Sequence, residues 1–387
     1  MDSNLPPNNP SPPGPPFPPA QASGPPPLIL PRQLPPRRRS NGWRVVAIVL
    51  LILLAVSLFT NMRQMFGSVL TGTTPIVGTK GPPLEEVLLE YNHSRNKVVV
   101  ISVEGLIASG MMGGGSYSMV EYIRDQFERA SRRPDVKAVI LQINSPGGEV
   151  LASDTIYDTI AEFQEDTGKP VIAAMSSVAA SGGYYVAAPC RWIVADEMTI
   201  TGSIGVILSS FNFRGLMDKV GIQPQVYKSG RYKDMLSATR KETDVPPEER
   251  KMVQDLIDET FQKFKNVIVR GRSQAAKMNN NNKDSKGREL ASDWEQYADG
   301  RIFSGEQAYK YGFVDELGNW DTAKERALKL AGIPDANFVE YRQEFSLANL
   351  FQIFGKSKQT GVKVDLGLEL PRLQAGQLYF LSPSYLH

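Results

Sequence analysis

Ser181 lies in the stretch "MSSVAASGGYYVAAP", which runs from Met175 to Pro189 without a charge. Alanines precede it, and Gly182 and Gly183 follow. A serine hydroxyl becomes a nucleophile when a tight turn presents it, a base takes its proton and donors meet the developing oxyanion. The apolar run "VIAAM" just upstream reads as a buried strand, so Ser181 falls at a strand-to-helix junction that offers the Gly182 N–H as one donor. The turn "NSPGGEV" offers another. Pro146 sets the chain direction there, and Gly147 and Gly148 let the backbone expose an N–H without side-chain hindrance. This turn also ends a predicted parallel strand, the end of such sheets where sites gather.

The base is not a histidine. The chain has two, His93 in "EYNHSRN" and His387 at the last position. Neither sits in a motif that orients an imidazole, which argues against a Ser-His-Asp triad. A carboxylate or a lysine remains. A lysine works only as the neutral amine, so its pKa must be lowered by burial away from counter-charges. The stretch "QVYKSGRYKDMLSATR" supplies Lys228 and Lys233, and spacing does not choose between them.

The elements that must hold these groups follow from periodicity. "KVVVISVEGLI", "VKAVILQIN", "VIAAM" and "WIVAD" are buried strands. "MVEYIRDQFERASRR" is a helix with Val120, Ile123 and Phe127 on one face. "VLASDTIYDTIAEFQEDTG" is a helix stopped by Gly168 and Pro170. "PPEERKMVQDLIDETFQKFKNVIVRGR" is a long amphipathic helix carrying Met252, Val253, Leu256, Ile257, Phe264 and Ile268 on one side. "DGRIFSGEQAYKYGFVDELG" is a turn, a short helix and a glycine stop. Strands alternating with helices argue for crossover units and a largely parallel sheet. Residues 345–387 form a C-terminal extension with no firm structural signal.

Composition narrows the function classes. The single cysteine, Cys190, excludes an intrachain disulfide and a multi-cysteine zinc site, and the chemistry requires no cofactor or metal. A net charge of +2 argues against nucleic acid as a partner. Fifteen of the 28 prolines fall within residues 1–36, so residues 1–42 read as a disordered tail with a basic flank. Val45 to Met62 is an uncharged, mostly apolar run of 18 residues, near the lower limit for a bilayer-spanning helix. We expect an anchor over 43–62 and a linker over 63–96. Arg37, Arg38, Arg39 and Arg44 precede the span and Arg63 follows it. The positive-inside rule then puts the tail in the cytoplasm and the rest on the other side of the cell membrane.

"INSPGGEV", "SSVAASGGYYVAA", "TGSIGV", "YKSGRYKDMLSATR" and "DGRIFSGEQAYKYGFVDELG" occur in this order. Together they resemble the signal peptide peptidase A (protease IV) family in its short, single-copy form, over about Lys97 to Leu330. "SPGG" alone is also found in Clp protease and crotonase folds. The resemblance implies an α/β fold of stacked ββα units, Clp protease/crotonase-like, over 97–344. It implies a Ser-Lys dyad with Ser181 as nucleophile and Lys233, rather than Lys228, as general base. Gly148 and Gly182 would supply the oxyanion-hole N–H groups, and Ser203 of "TGS" would position the lysine. It further implies a homo-oligomer in which a neighbouring subunit supplies the lysine, acting at the bilayer on signal peptides and other apolar peptides. The rival readings are a non-catalytic oligomeric membrane scaffold and a crotonase-type acyl-CoA enzyme. The anchor and the "AASGG" serine argue against the latter. An intact Ser181, Lys233 and Ser203 set argues against the former.

Overall fold

A computed structural model describes residues 46–54, 84–110, 117–279, 287–343 and 378–381. The chain divides into two units, Met1–Gly78 and Thr79–His387. In the first, residues 46–54 form a helix (α1) whose side chains are almost all exposed. The rest of the expected span over 45–62 lies outside the described residues, as do residues 1–42. Among the described residues no helix is long and apolar enough to cross a membrane.

The second unit is a mixed, mainly parallel sheet with helices on both faces. Strands β1 (Leu84–Glu90), β2 (Lys97–Glu104), β3 (Val136–Ser145), β5 (Val171–Ala180), β6 (Trp192–Ala195), β9 (Glu316–Leu317) and β10 (Asn337–Gln343) line up as β1-β10-β2-β3-β5-β6-β9. Only β1 runs antiparallel to its neighbour on this path. The β-branched runs of β2 and β3 are buried on both sides, the pattern of a parallel sheet covered on each face.

Helices α2 (Met119–Arg132), α3 (Val150–Thr167) and α6 (Pro247–Asn279) contribute Ile123, Ile156 and Phe264 to the larger core. Helix α8 (Trp320–Ala331) packs Ala323 and Ala327 with Ile140, Ile172 and Trp192 in a second core. A capping box at Ser118 and Glu121 starts α2. Left-handed Gly168 ends α3 where the sequence pattern placed its stop.

Three features go beyond the sequence pattern. The segment expected as a linker over 63–96 contains β1, which closes the sheet edge against β10. The C-terminal extension contains strand β11 (Tyr379–Leu381), paired antiparallel to β4 (Gly147–Glu149). The apolar face of α6 is buried in only one half. Phe264, Val267 and Ile268 are covered, whereas Met252 and Leu256 are 43% and 47% exposed. Periodicity marks an apolar face but not which part of this chain covers it.

Helix α6 is fastened by a buried ion pair. Arg272 pairs with Asp315, and both side chains are almost wholly buried. Arg272 also donates to the Cys190 carbonyl at 3.0 Å, while Asp315 accepts from the Ile193 N–H at 2.8 Å and the Arg288 N–H at 2.9 Å. Removing one partner strands the other charge. Arg272→Met is expected to destabilise the fold by about 3–5 kcal/mol, read by urea denaturation.

Candidate active site

Strand β5 ends at Ala180, and helix α4 (Gly182–Ala187) begins two residues later. Ser181 alone makes the turn, with φ 55° and ψ −115°. A non-glycine residue in that region carries a strain of about 1–3 kcal/mol and persists only when its surroundings over-determine it. Here they do. The Ser181 N–H donates to the Gly202 carbonyl at 2.8 Å, and its carbonyl accepts from the Tyr185 N–H at 2.8 Å. Its Oγ is buried and has no hydrogen-bond partner among the described residues.

Ser203 is the companion of Ser181 across the sheet. Strand β7 (Ile200–Gly202) runs parallel to β5, with Gly202 opposite Ala180. The next residue on each strand is a serine with positive φ, 55° at Ser181 and 51° at Ser203. Ser203 is 3% exposed, and its N–H donates to the Arg301 carbonyl at 2.7 Å. Two serines thus stand side by side at the carboxyl ends of adjacent strands.

The glycine turn reaches the same place. Gly147 has φ 112°, and a Cβ there would lie 2.8 Å from the Gly182 nitrogen. A Cβ on Gly182 would lie 3.0 Å from the Gly148 nitrogen. No side chain fits between these backbones, so the N–H groups of Gly148 and Gly182 border one small space. Ser145 holds the turn: its Oγ donates to the Gly105 carbonyl at 2.6 Å and accepts from the Gly147 N–H at 3.1 Å.

The two lysines differ in their partners. Lys228 is tied to Asp234 at 2.6 Å, and that bond holds the Asp234 carboxyl below the usual range. Arg240 bridges Asp234, at 3.0 Å, to the buried Glu249 at the start of α6. Lys233 is exposed and takes part in no ion pair among the described residues. It makes no hydrogen bond to Ser181, whose Oγ has no partner among the described residues. The structure therefore brings together Ser181, Ser203, Gly148 and Gly182, and leaves Lys233 apart.

Cys190 is buried and free, and burial pushes its thiol pKa up, away from nucleophilic use. The pattern reading missed the groups beside the glycine turn. Strand β11 lies between β4 and Ile207, and the ring of Phe380 packs against Tyr185 and Phe264 at 4.8 and 4.6 Å. Phe264 was seen only as a core position, and no local motif ties it to Ser181.

The model of peptidase family S49 matches residues 163–334, and that of Clp protease matches residues 118–190. A protein of Enterococcus faecium that carries the name signal peptide peptidase SppA is 33% identical over 314 residues, 80% of this chain and 85% of the relative.

The chain belongs to peptidase family S49.

It is a serine peptidase of that family. It is also 32% identical to the chloroplastic serine protease SPPA of Arabidopsis thaliana over 62% of its own length and 33% of the relative's. Protease 4 of Haemophilus influenzae is 31% identical over 62% of this chain and 36% of its own. In this S49 chain the Ser145 hydroxyl is expected to matter for the turn. Ser145→Ala leaves the buried Gly147 N–H unpaired and lowers stability by about 1–3 kcal/mol, measured by urea denaturation.

Proposed function

We propose that this S49 chain is a membrane-anchored endopeptidase with a Ser-Lys dyad, acting on apolar peptides such as released signal peptides. The observation that carries the dyad is Ser181 on its strained turn. Its Oγ meets no base among the described residues, and two glycine N–H groups border the space beside it. Lys233 is the base, delivered by a second copy. Its freedom from ion pairs among the described residues supports this, as does the apolar surface of its arm, where Phe211, Leu216 and Tyr227 are 75%, 61% and 92% exposed. An interface would cover these rings and strip water from the amine.

The chemistry runs in two steps. Ser181 Oγ bonds to the peptide carbonyl carbon while the neutral Lys233 amine takes its proton. The oxyanion is held by the N–H groups of Gly148 and Gly182. The C–N bond then breaks, and the leaving amine takes the proton back from the lysinium. Water hydrolyses the acyl-enzyme in the second step. Ser203 positions the lysine. The apolar run from Val45 to Met62 anchors the chain, with the tail cytoplasmic and the catalytic unit on the other side. The printed name of the Enterococcus faecium relative supports signal peptides as substrates.

Hydrolysis of a fluorogenic apolar peptide by the full chain tests this reading. Ser181→Ala and Lys233→Ala each lose at least about 10^4-fold in kcat/KM, because the pair acts as a unit. Mixing the two inactive variants restores activity if the dyad is shared between copies. Ser203→Ala loses about 100-fold through a misplaced amine. Full activity in Lys233→Ala rejects the choice of base.

A further inference from the structure

Lys233 stands on a stretch of chain that no sheet supports. Residues 208–246 contain no strand, and the lysine sits in a run of tight turns. The Lys233 N–H reaches the Gly230 carbonyl at 3.5 Å, the Met235 N–H donates to Tyr232 at 3.0 Å and the Ser237 N–H donates to Asp234 at 3.1 Å. Leu236, in the same run, has φ 61°. For a bulky residue that is an outlier, which persists only where neighbours impose it. Glu249 is such a neighbour. Its Oε1 accepts from the Leu236 N–H at 3.4 Å, and its Oε2 pairs with Arg240. Arg240 in turn reaches Oδ1 of Asp234, the residue next to Lys233, at 3.0 Å. Lys228 closes on the same oxygen at 2.6 Å.

The chain of charges leads from the turn to the body. Glu249 is buried in the first turn of α6, and Asp234 and Arg240 are mostly buried beside it. A helix rises about 1.5 Å per residue, so a rod of about 35 Å joins Glu249 to Arg272, where the pair with Asp315 fastens it. Arg240 uses separate guanidinium nitrogens, Nη1 for Asp234 and Nη2 for Glu249. A lysine has one nitrogen and no such fork. Buried ion pairs add little stability over an apolar contact of the same volume, yet they fix the geometry of the groups they join. Lys233 itself takes part in none of these pairs. The network therefore holds the backbone beneath the lysine and leaves its amine free.

We propose that Glu249 and Arg240 are positioning residues for Lys233, clamping the turn that carries the amine onto the first turn of α6. The proposal rests on Lys233 as the base delivered by a second copy, as argued above. Neither residue touches the peptide or moves a proton. Glu249 sets the strained Leu236 backbone on one side of the turn, and Arg240 holds the Asp234 carboxylate on the other. Helix α6 then transmits the position of the body to the amine, so the distance over which one copy reaches the next is fixed by a rigid rod rather than by a loose loop.

The test is steady-state hydrolysis of a fluorogenic apolar peptide by the full chain in detergent, measured on the oligomeric fraction from size exclusion. Arg240→Leu and Glu249→Ala are expected to lower kcat about 100-fold with KM within about twofold of wild type, because the base is misplaced while the peptide's own contacts are intact. Glu249→Gln keeps an acceptor for the Leu236 N–H and is expected to lose only about tenfold. The double variant Arg240→Leu/Glu249→Leu removes both buried charges together, which spares the fold where a single variant loses it, and is expected to show the same 100-fold loss. Co-expression separates a misplaced base from a general defect. Ser181→Ala restores activity to Arg240→Leu by lending an intact arm, and Lys233→Ala does not. Wild-type kcat in the double variant overturns the proposal and leaves the dyad standing, as does recovery of Arg240→Leu by Lys233→Ala. Full activity in Lys233→Ala alone, or no mutual recovery of Ser181→Ala and Lys233→Ala, overturns the shared dyad and the proposal with it.

Discussion

The close approach of two glycine turns is the constraint on which the site depends. The backbones of Gly147–Gly148 and Gly182 lie within one carbon's width of each other. That distance requires residues without side chains, and it requires β3 and β5 to be neighbours. The sheet meets the second condition through the parallel pairing of Val139–Ile143 with Val171–Met175, and a register shift then sets Ser145 opposite Ala179. Two strand ends then deliver two N–H groups to one spot. Rigid backbone donors of this kind need no reorganisation when charge develops on a carbonyl oxygen.

The strain at Ser181 belongs to the same design. The cost of its positive φ is offset by hydrogen bonds to Gly202 and Tyr185 on either side. Ser203 repeats the conformation one strand over. Strain of this kind persists only where the surroundings over-determine it, and here two adjacent strand ends share it. The deep core beneath, with Tyr184, Tyr185 and Phe264 fully or nearly fully buried, keeps the ends from relaxing.

The long arm that carries Lys233 follows a different logic. Its apolar residues remain exposed, and the ion pairs from Lys228 through Asp234 and Arg240 to Glu249 shape it from within. A shaped but uncovered surface is a surface prepared for another molecule. In the proposed dyad, the nucleophile and its donors belong to the packed body of the chain, and the base stands on an exposed stretch.

Much of this was legible in the sequence, because local chemistry determined it. Apolar β-branched runs made β2, β3, β5 and β6 readable. A serine between alanines and glycines marked the strand-to-helix turn, and Gly168 marked a helix end. The glycine turn at Pro146 was legible for the same reason: backbone freedom is a property of the residue itself. Other features arose only in three dimensions. Nothing local says that half of α6 stays uncovered, that Leu84–Glu90 closes a sheet edge, or that Phe380 lies against Tyr185 and Phe264. Those facts depend on which distant segments meet. A weakly patterned tail acquires a strand only when a partner edge offers it hydrogen bonds, so β11 became visible only in the folded chain.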